Sequence, residues 1–264
     1  MLSKRIPLST HEVQIAPVFP KKTFRDDVFV LFLHEALGSI GQWRNFPQLL
    51  CDALGTPGFM YERQGHGGSD TLNAPRDKNY LHDYAMLELP EVIRTLIPAG
   101  KKVLLVGHSD GGSIALLYAA RFPKLVAGIV TMAAHVLVEP ETLAGIHPAI
   151  EAYRSGKLSG LHKYHHDKTE ALFFAWADTW LDPDFRAWNI EAEISSISCP
   201  ALIIQGKNDQ YGTSWQVEII VRAIPGSQSH ILGDCNHHPH LEKTVEIVNL
   251  ISQWWNNAGG IQPD

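Results

Sequence analysis

The stretch Val103-Leu104-Leu105-Val106-Gly107-His108-Ser109-Asp110-Gly111-Gly112-Ser113, running on through Ile114-Ala115-Leu116-Leu117-Tyr118-Ala119-Ala120, decides how this chain is read. Val103–Val106 is a short apolar run that stops at glycine, as a buried strand does. Ser113–Phe122 reads as a helix. Between them stands G-x-S-x-G, from Gly107 to Gly111. A turn this tight leaves no room for bulky neighbours, so glycine flanks the serine at both ends. Ser109 is then held strained and exposed at the head of a helix. The five-residue pattern alone recurs by chance; its place directly after a strand and before a helix gives it chemical meaning.

Outward from this turn the same alternation continues. Strands are expected at Val28–Leu33, Gly58–Tyr61, Val126–Met132, Ala201–Ile204 and Ser229–Leu232. Helices are expected at Trp43–Leu54, Leu81–Ile97, Ser214–Ala223 and Leu241–Trp255. This order predicts an α/β fold with a mostly parallel, twisted sheet and helices on both faces. Val13–Val18 is expected as an antiparallel edge strand. From His135 to Ser196 the rhythm breaks, with no strong strand and many aromatics, among them Tyr153, Phe173, Phe174, Trp176, Trp180 and Trp188. This segment reads as a helical insertion over the strand ends, where ligands of such sheets sit. The expected division is a core of residues 1–134 and 197–264 with a helical lid at 135–196. The tail Asn256–Asp264 is expected to fray.

Composition narrows the function classes. The 264 residues are 45% apolar and 19% charged, ordinary for a folded soluble protein. The net charge of −6 argues against nucleic acid or an anionic membrane as the main partner. No apolar run approaches the 18–20 residues or so that a spanning helix needs. The N-terminal MLSKRIPLST lacks the apolar centre of a signal peptide. Cys51, Cys199 and Cys235 are odd in number and far apart, so a reducing cytoplasm is the expected compartment.

A serine hydroxyl needs a base to become a nucleophile, and the base needs orientation. Asp209 stands just past the strand Ala201–Ile204, in Gly206-Lys207-Asn208-Asp209, facing the same side as Ser109. A loop Asp in that place is otherwise a turn former. The base is expected after the next strand, where Cys235-Asn236-His237-His238-Pro239-His240 offers three histidines. Spacing alone does not choose among His237, His238 and His240.

These pieces together resemble the α/β-hydrolase fold superfamily, over nearly the whole chain. The residues that carry the resemblance are His34-Glu35-Ala36-Leu37-Gly38-Ser39, Tyr61-Glu62-Arg63-Gln64-Gly65-His66-Gly67-Gly68-Ser69, the G-H-S-D-G of 107–111, Gln205-Gly206-Lys207-Asn208-Asp209 and the Asn236–His240 loop. The resemblance implies a lid-bearing, carboxylesterase-like serine hydrolase that needs no cofactor. It places the nucleophile at Ser109, the acid at Asp209 and the base at His237. It also implies an oxyanion hole from the backbone N–H groups of Ala36 and Asp110. Two departures stand out: Glu35 replaces the usual glycine after His34, and Asn236 stands where glycine is frequent. Arg63 and His66 are expected to be structural, and His108 to be packing.

Around this centre, Glu35, Leu37, His135, Trp176, Trp180, Tyr211 and His238 are the expected pocket residues, with Trp43 as a further wall. Asp110 reads as a helix cap, favoured by the dipole, and Glu35 as a partner of Arg63 or of a lid residue. Ser109-Asp110-Gly111-Gly112 and Ala36-Leu37-Gly38-Ser39 are also similar to the valacyclovirase-type α-amino ester hydrolases, which would give the two acids a cationic substrate. His162, His165 and His166 share a helix face, yet no His-Glu-x-x-His and no carboxylate-rich set accompanies them, so no metal is expected. The expected partner is a small-molecule ester or related acyl compound, with a homo-oligomer possible. Four rivals remain: hydrolysis of a C–C bond in a ring-cleavage product, a lactonase or thioesterase, an α-amino ester hydrolase, and a non-catalytic receptor on the same fold.

Overall fold

The computed structural model describes residues 3–23 and 26–258. Its strands are β1 Lys4–Pro7, β2 Glu12–Val18, β3 Val28–Leu33, β4 Gly58–Glu62, β5 Lys102–His108, β6 Val126–Met132, β7 Ala201–Gly206 and β8 Gln228–Leu232. They form one sheet in the order β1-β2-β4-β3-β5-β6-β7-β8. From β4 to β8 across the sheet every pairing is parallel; β2 is antiparallel to both of its neighbours.

The expected strands all form. Val13–Val18 lies in an antiparallel strand as expected, but it is not the edge. β1 covers it, pairing Ile6 with Val13. Lys4-Arg5-Ile6-Pro7 has a single buried apolar residue and so gives no strand signal. The expected helix Leu81–Ile97 is broken into a turn at Tyr80–Asp83, a wide π-type turn at Tyr84–Glu88 and a helix at Leu89–Leu96. Pro90 lacks the N–H that a continuous helix needs there. The final helix Thr244–Asn257 includes Asn256 and Asn257, so the tail is ordered two residues further than expected; residues 259–264 of it lie outside the described residues.

Successive strand residues face opposite ways, and two cores result. Leu31, Leu33, Val103 and Leu105 pack under the helices Leu89–Leu96, Asp110–Arg121 and Ser214–Ala223. Val30, Phe32, Leu104 and Val106 pack under Phe46–Leu54 and Thr244–Asn257. Each such side chain, fully buried, contributes roughly 1.5–3 kcal/mol. The central strands and the helix that follows β5 are therefore held on both sides, and that is the frame on which Ser109 stands.

Residues 135–196 run between β6 and β7 as the helices Pro140–Arg154 and Thr169–Leu181 with shorter turns. Phe173, Trp180 and Phe185 are buried in the same core as the helix Asp110–Arg121. The segment is also tied to two loops of the core. His165 Nε2 donates to the Leu37 carbonyl at 2.9 Å, and its Nδ1 accepts from the Gly67 N–H at 3.0 Å. Lys168 Nζ donates to the carbonyls of His66 and Ser69. No helix among the described residues is long and apolar enough to cross a membrane.

Candidate active site

Ser109 follows β5 with φ 52° and ψ −120°, a left-handed conformation that costs a non-glycine residue about 1–3 kcal/mol. The flanking glycines are required by close approach. A Cβ on Gly107 would lie 2.2 Å from the Gly111 carbonyl oxygen, and one on Gly111 would lie 1.9 Å from that of Leu33. The Ser109 N–H is held by the Met132 carbonyl at 2.8 Å, which locks the turn against β6.

Of the three histidines after β8, the structure brings His237 to Ser109. His237 Nε2 is 3.0 Å from Ser109 Oγ, and its Nδ1 lies 2.8 and 2.9 Å from the two carboxylate oxygens of Asp209. His238 turns its ring to the cavity wall, and His240 is buried against Trp43 and Phe46. Asp209 sits just past β7 and also accepts from the Tyr211 N–H at 2.8 Å and from Gln205 Nε2 at 2.7 Å. Burial pushes its carboxyl up, but the charge and hydrogen bond of His237 and the Tyr211 N–H outweigh this and leave it below the ordinary value. Burial lowers His237, and Asp209 only partly offsets that. At neutral pH the ring is therefore uncharged, with its proton on Nδ1 and a lone pair aimed at Ser109.

Ala36 and Asp110 both line the same cavity. The loop that carries Ala36 is braced from behind. Arg63 donates to the carbonyls of His34 and Glu35 at 2.6 and 2.8 Å, and His66 Nε2 donates to that of Ala36 at 3.0 Å. The Glu35 carbonyl is held by Arg63, and the Ala36 N–H of the same trans peptide points the opposite way.

The cavity beside Ser109 measures about 200 Å³. Glu35, Ala36, Leu37, Asp110, His135, Trp176, Trp180, Tyr211 and His238, all named from the sequence, are brought together in its lining. Gln42, Thr142, Ala149, Leu158 and Leu161 line it as well and were not foreseen. Leu158 and Leu161 are one helical turn apart, a signal too weak to separate from ordinary packing. Trp43 does not line it; it stacks with Phe46 in the core behind the site. Asp110, at the head of its helix, accepts from Tyr80 Oη at 2.9 Å, which in turn accepts from Trp180 Nε1 at 2.7 Å. His135 Nε2 donates to the Tyr211 carbonyl at 3.0 Å. The Glu35 carboxylate does not reach Arg63, which binds only main-chain oxygens of that loop; it faces His108 Nδ1 at 3.2 Å. His108 is thus a hydrogen-bonding residue and not simply packing. Among the described residues no group of three or more His, Cys, Asp or Glu is arranged to hold a metal ion.

The strand order and the serine turn at the centre of the sheet define an α/β hydrolase, and the chain belongs to the alpha/beta hydrolase family, whose sequence model matches residues 30–250. Its relatives include the human serine hydrolase BPHL, 28% identical over 246 residues that cover 87% of this chain and 80% of that protein. The 2-hydroxy-6-oxononadienedioate/2-hydroxy-6-oxononatrienedioate hydrolase of Klebsiella pneumoniae is 26% identical over 250 residues, covering 84% of this chain and 85% of its own. Among solved structures, the enol-lactonase of Burkholderia xenovorans superposes with a TM-score of 0.76 at 14% identity, over 96% of this chain and all of that one, a likeness of fold. The activity that these relatives share is hydrolysis.

Proposed function

We propose that this hydrolase cleaves a small to medium carboxylic ester through an acyl-enzyme on Ser109. The observation that carries the reading is the linked set Ser109–His237–Asp209, with Ser109 Oγ 3.0 Å from His237 Nε2, opening on a cavity of about 200 Å³. Ser109 Oγ attacks the ester carbonyl while His237 Nε2 takes its proton; Asp209 holds the ring and stabilises the imidazolium. The N–H groups of Ala36 and Asp110 hold the oxyanion, each donor contributing about 3 kcal/mol in the transition state. His237 then passes the proton to the leaving alcohol, and a water that it activates releases the acid. The cavity is below the roughly 300–1,000 Å³ of drug-sized sites, which favours a short acyl or alcohol group. Residues 135–196 act as the lid, with Leu158, Leu161, Trp176 and Trp180 forming its apolar underside.

The test is a p-nitrophenyl ester series from acetate to decanoate, with the Ser109→Ala variant alongside. The expected result is a rate that peaks at short acyl chains and is lost in the variant. Absence of turnover, or equal turnover in both proteins, would overturn the reading and turn attention to the non-catalytic receptor.

Two finer readings are separated by the cavity wall. The Klebsiella relative is named for a dicarboxylate substrate. Among the described residues lining this cavity none is Lys or Arg, and Asp110 is an acid without a cationic partner in the lining. A dicarboxylate would find no Lys or Arg to pair with there, so the ester is favoured over the C–C substrate; loss of a dienoate chromophore is the contrary result. An α-amino ester has one specific support, the Asp110 carboxylate at the wall. A higher kcat/KM for an aminoacyl ester than for its des-amino counterpart would establish it.

A further inference from the structure

Three loops bring the reacting groups together: Glu35-Ala36 after β3, His108-Ser109 at the end of β5, and His237 after β8. All three meet on one imidazole that the proposed reaction leaves unused. His108 is fully buried. Its Nε2 is 2.7 Å from the carbonyl oxygen of His237, and its Nδ1 is 3.2 Å from Glu35 Oε2. A carbonyl oxygen only accepts, so Nε2 carries a proton. Nδ1 then faces a carboxylate, and a hydrogen bond there needs a second proton on one of the two groups. The pair therefore holds one proton more than a neutral imidazole and a carboxylate, and its net charge is zero.

The surroundings place that proton on His108. Burial pushes the Glu35 carboxyl up, yet the hydrogen bond and charge of His108 outweigh it and hold the carboxyl well below the usual range. The rings of His237, His238 and His240 lie 5.1, 5.0 and 4.6 Å from that of His108. Burial lowers all three, His238 to about 4, so they stand as neutral neighbours. The loop is shaped for the contact: a Cβ on Gly38 would lie 2.5 Å from Glu35 Oε2, so only glycine lets the carboxylate fold back to the ring.

We infer that His108 is an imidazolium paired with the Glu35 carboxylate, and that this neutral pair positions the base loop and cancels a negative charge beside the oxyanion hole. The inference rests on the roles proposed above for Ser109, His237 and Ala36. The pair acts through other groups: it holds the His237 carbonyl, and it keeps a carboxylate one residue from Ala36 from opposing the oxyanion.

Nitrogen-15 NMR of the full chain labelled at its 14 histidines tests the protonation directly. The resonance is assigned by its loss in His108→Gln. Near neutral pH His108 is expected to show two protonated ring nitrogens, and His237 one. In Glu35→Gln, His108 is expected to fall to a single protonated nitrogen. One protonated nitrogen in the wild type, or two in Glu35→Gln, would overturn the inference whether or not the protein cleaves esters.

Kinetics test the consequence. His108→Gln keeps a donor for the His237 carbonyl but leaves the carboxylate uncompensated; kcat is expected to fall on the order of 100-fold with KM little changed. The double variant Glu35→Gln/His108→Gln is expected to regain at least roughly tenfold of that loss. A merely structural His108 would give a double variant no faster than His108→Gln, and that result would overturn the charge-cancelling role. Should His108→Gln fail to fold, the His108 resonance is assigned instead through its two-bond and through-space correlations in the wild type, and the Glu35→Gln spectrum still decides.

Discussion

His237 and His108 are both buried imidazoles with a carboxylate against Nδ1, and their rings lie 5.1 Å apart. They differ in what Nε2 meets. For His237 it is the hydroxyl of Ser109, which can donate; for His108 it is the main-chain carbonyl of His237, which cannot. The first ring can therefore stay neutral and take a proton, while the second shares with its carboxylate one proton more, which we assign to His108. An imidazole against a carboxylate becomes a base in one place and a fixed charge pair in the other. The second partner on Nε2 decides which, and the carboxylate alone does not.

The comparison breaks most visibly when each first partner is removed. His237→Ala is expected to lower kcat by about 10⁴–10⁶-fold, since the base and its acyl-enzyme chemistry are lost together. Asp209→Asn is expected to cost about 10⁴-fold, because an amide can donate to Nδ1 and so turn the His237 proton towards Ser109. Glu35→Gln places the same amide against the same atom of the other ring. There it permits a neutral His108, and the expected loss in kcat is at most about tenfold. Steady-state rates on one p-nitrophenyl ester check all three; equal losses for Asp209→Asn and Glu35→Gln would erase the distinction.

How much of this was legible in the sequence follows from the range of the interactions. The order of strands and helices is written in local apolar runs, and it was readable from Val28 to Trp255. The turn at Ser109 is local too, because its glycines answer contacts made within five residues and with one neighbouring strand. β1 was not legible, since Lys4–Pro7 is a strand only because β2 offers it a partner. The base was ambiguous because His237, His238 and His240 differ in direction and hardly in sequence. The partner of Glu35 was misjudged for the same reason. His108 lies 73 residues away, and only the sheet places the two loops side by side. Trp43, which looks like a pocket wall in the sequence, is turned into the core by its stacking on Phe46.

A pH profile sharpens the contrast further. Turnover requires neutral His237, so kcat/KM rises with pH through the pKa of that ring in the free enzyme. Burial lowers His237 more than Asp209 raises it, which places the midpoint of the acid limb below 6.5. Asp209→Asn removes the group that pulls the value up, and its limb is expected to move to still lower pH. Glu35→Gln exchanges one neutral pair for another, and its limb is expected to stay with that of the wild type. A midpoint above 6.5 in the wild type would mean that the attraction of Asp209 outweighs burial at this ring.

The smallest effect is in stability. The folded-state pKa of Glu35 lies below its ordinary value of 4.5, so the pairing stabilises the fold fully above that value, and this contribution is lost as pH falls through the folded pKa. Glu35→Gln keeps a hydrogen bond to His108 but loses the charge, and is expected to be less stable than the wild type by roughly 1–2 kcal/mol near neutral pH. The gap is expected to narrow below pH 4.5, where the carboxyl of the unfolded wild type takes up a proton that pairing still excludes in the fold. Urea midpoints of the two proteins at neutral pH and in acid measure this. A gap that stays constant across that range would show that Glu35 stabilises the loop by packing and hydrogen bonding alone. The carboxylate of this second pair would then be a shape and not a charge.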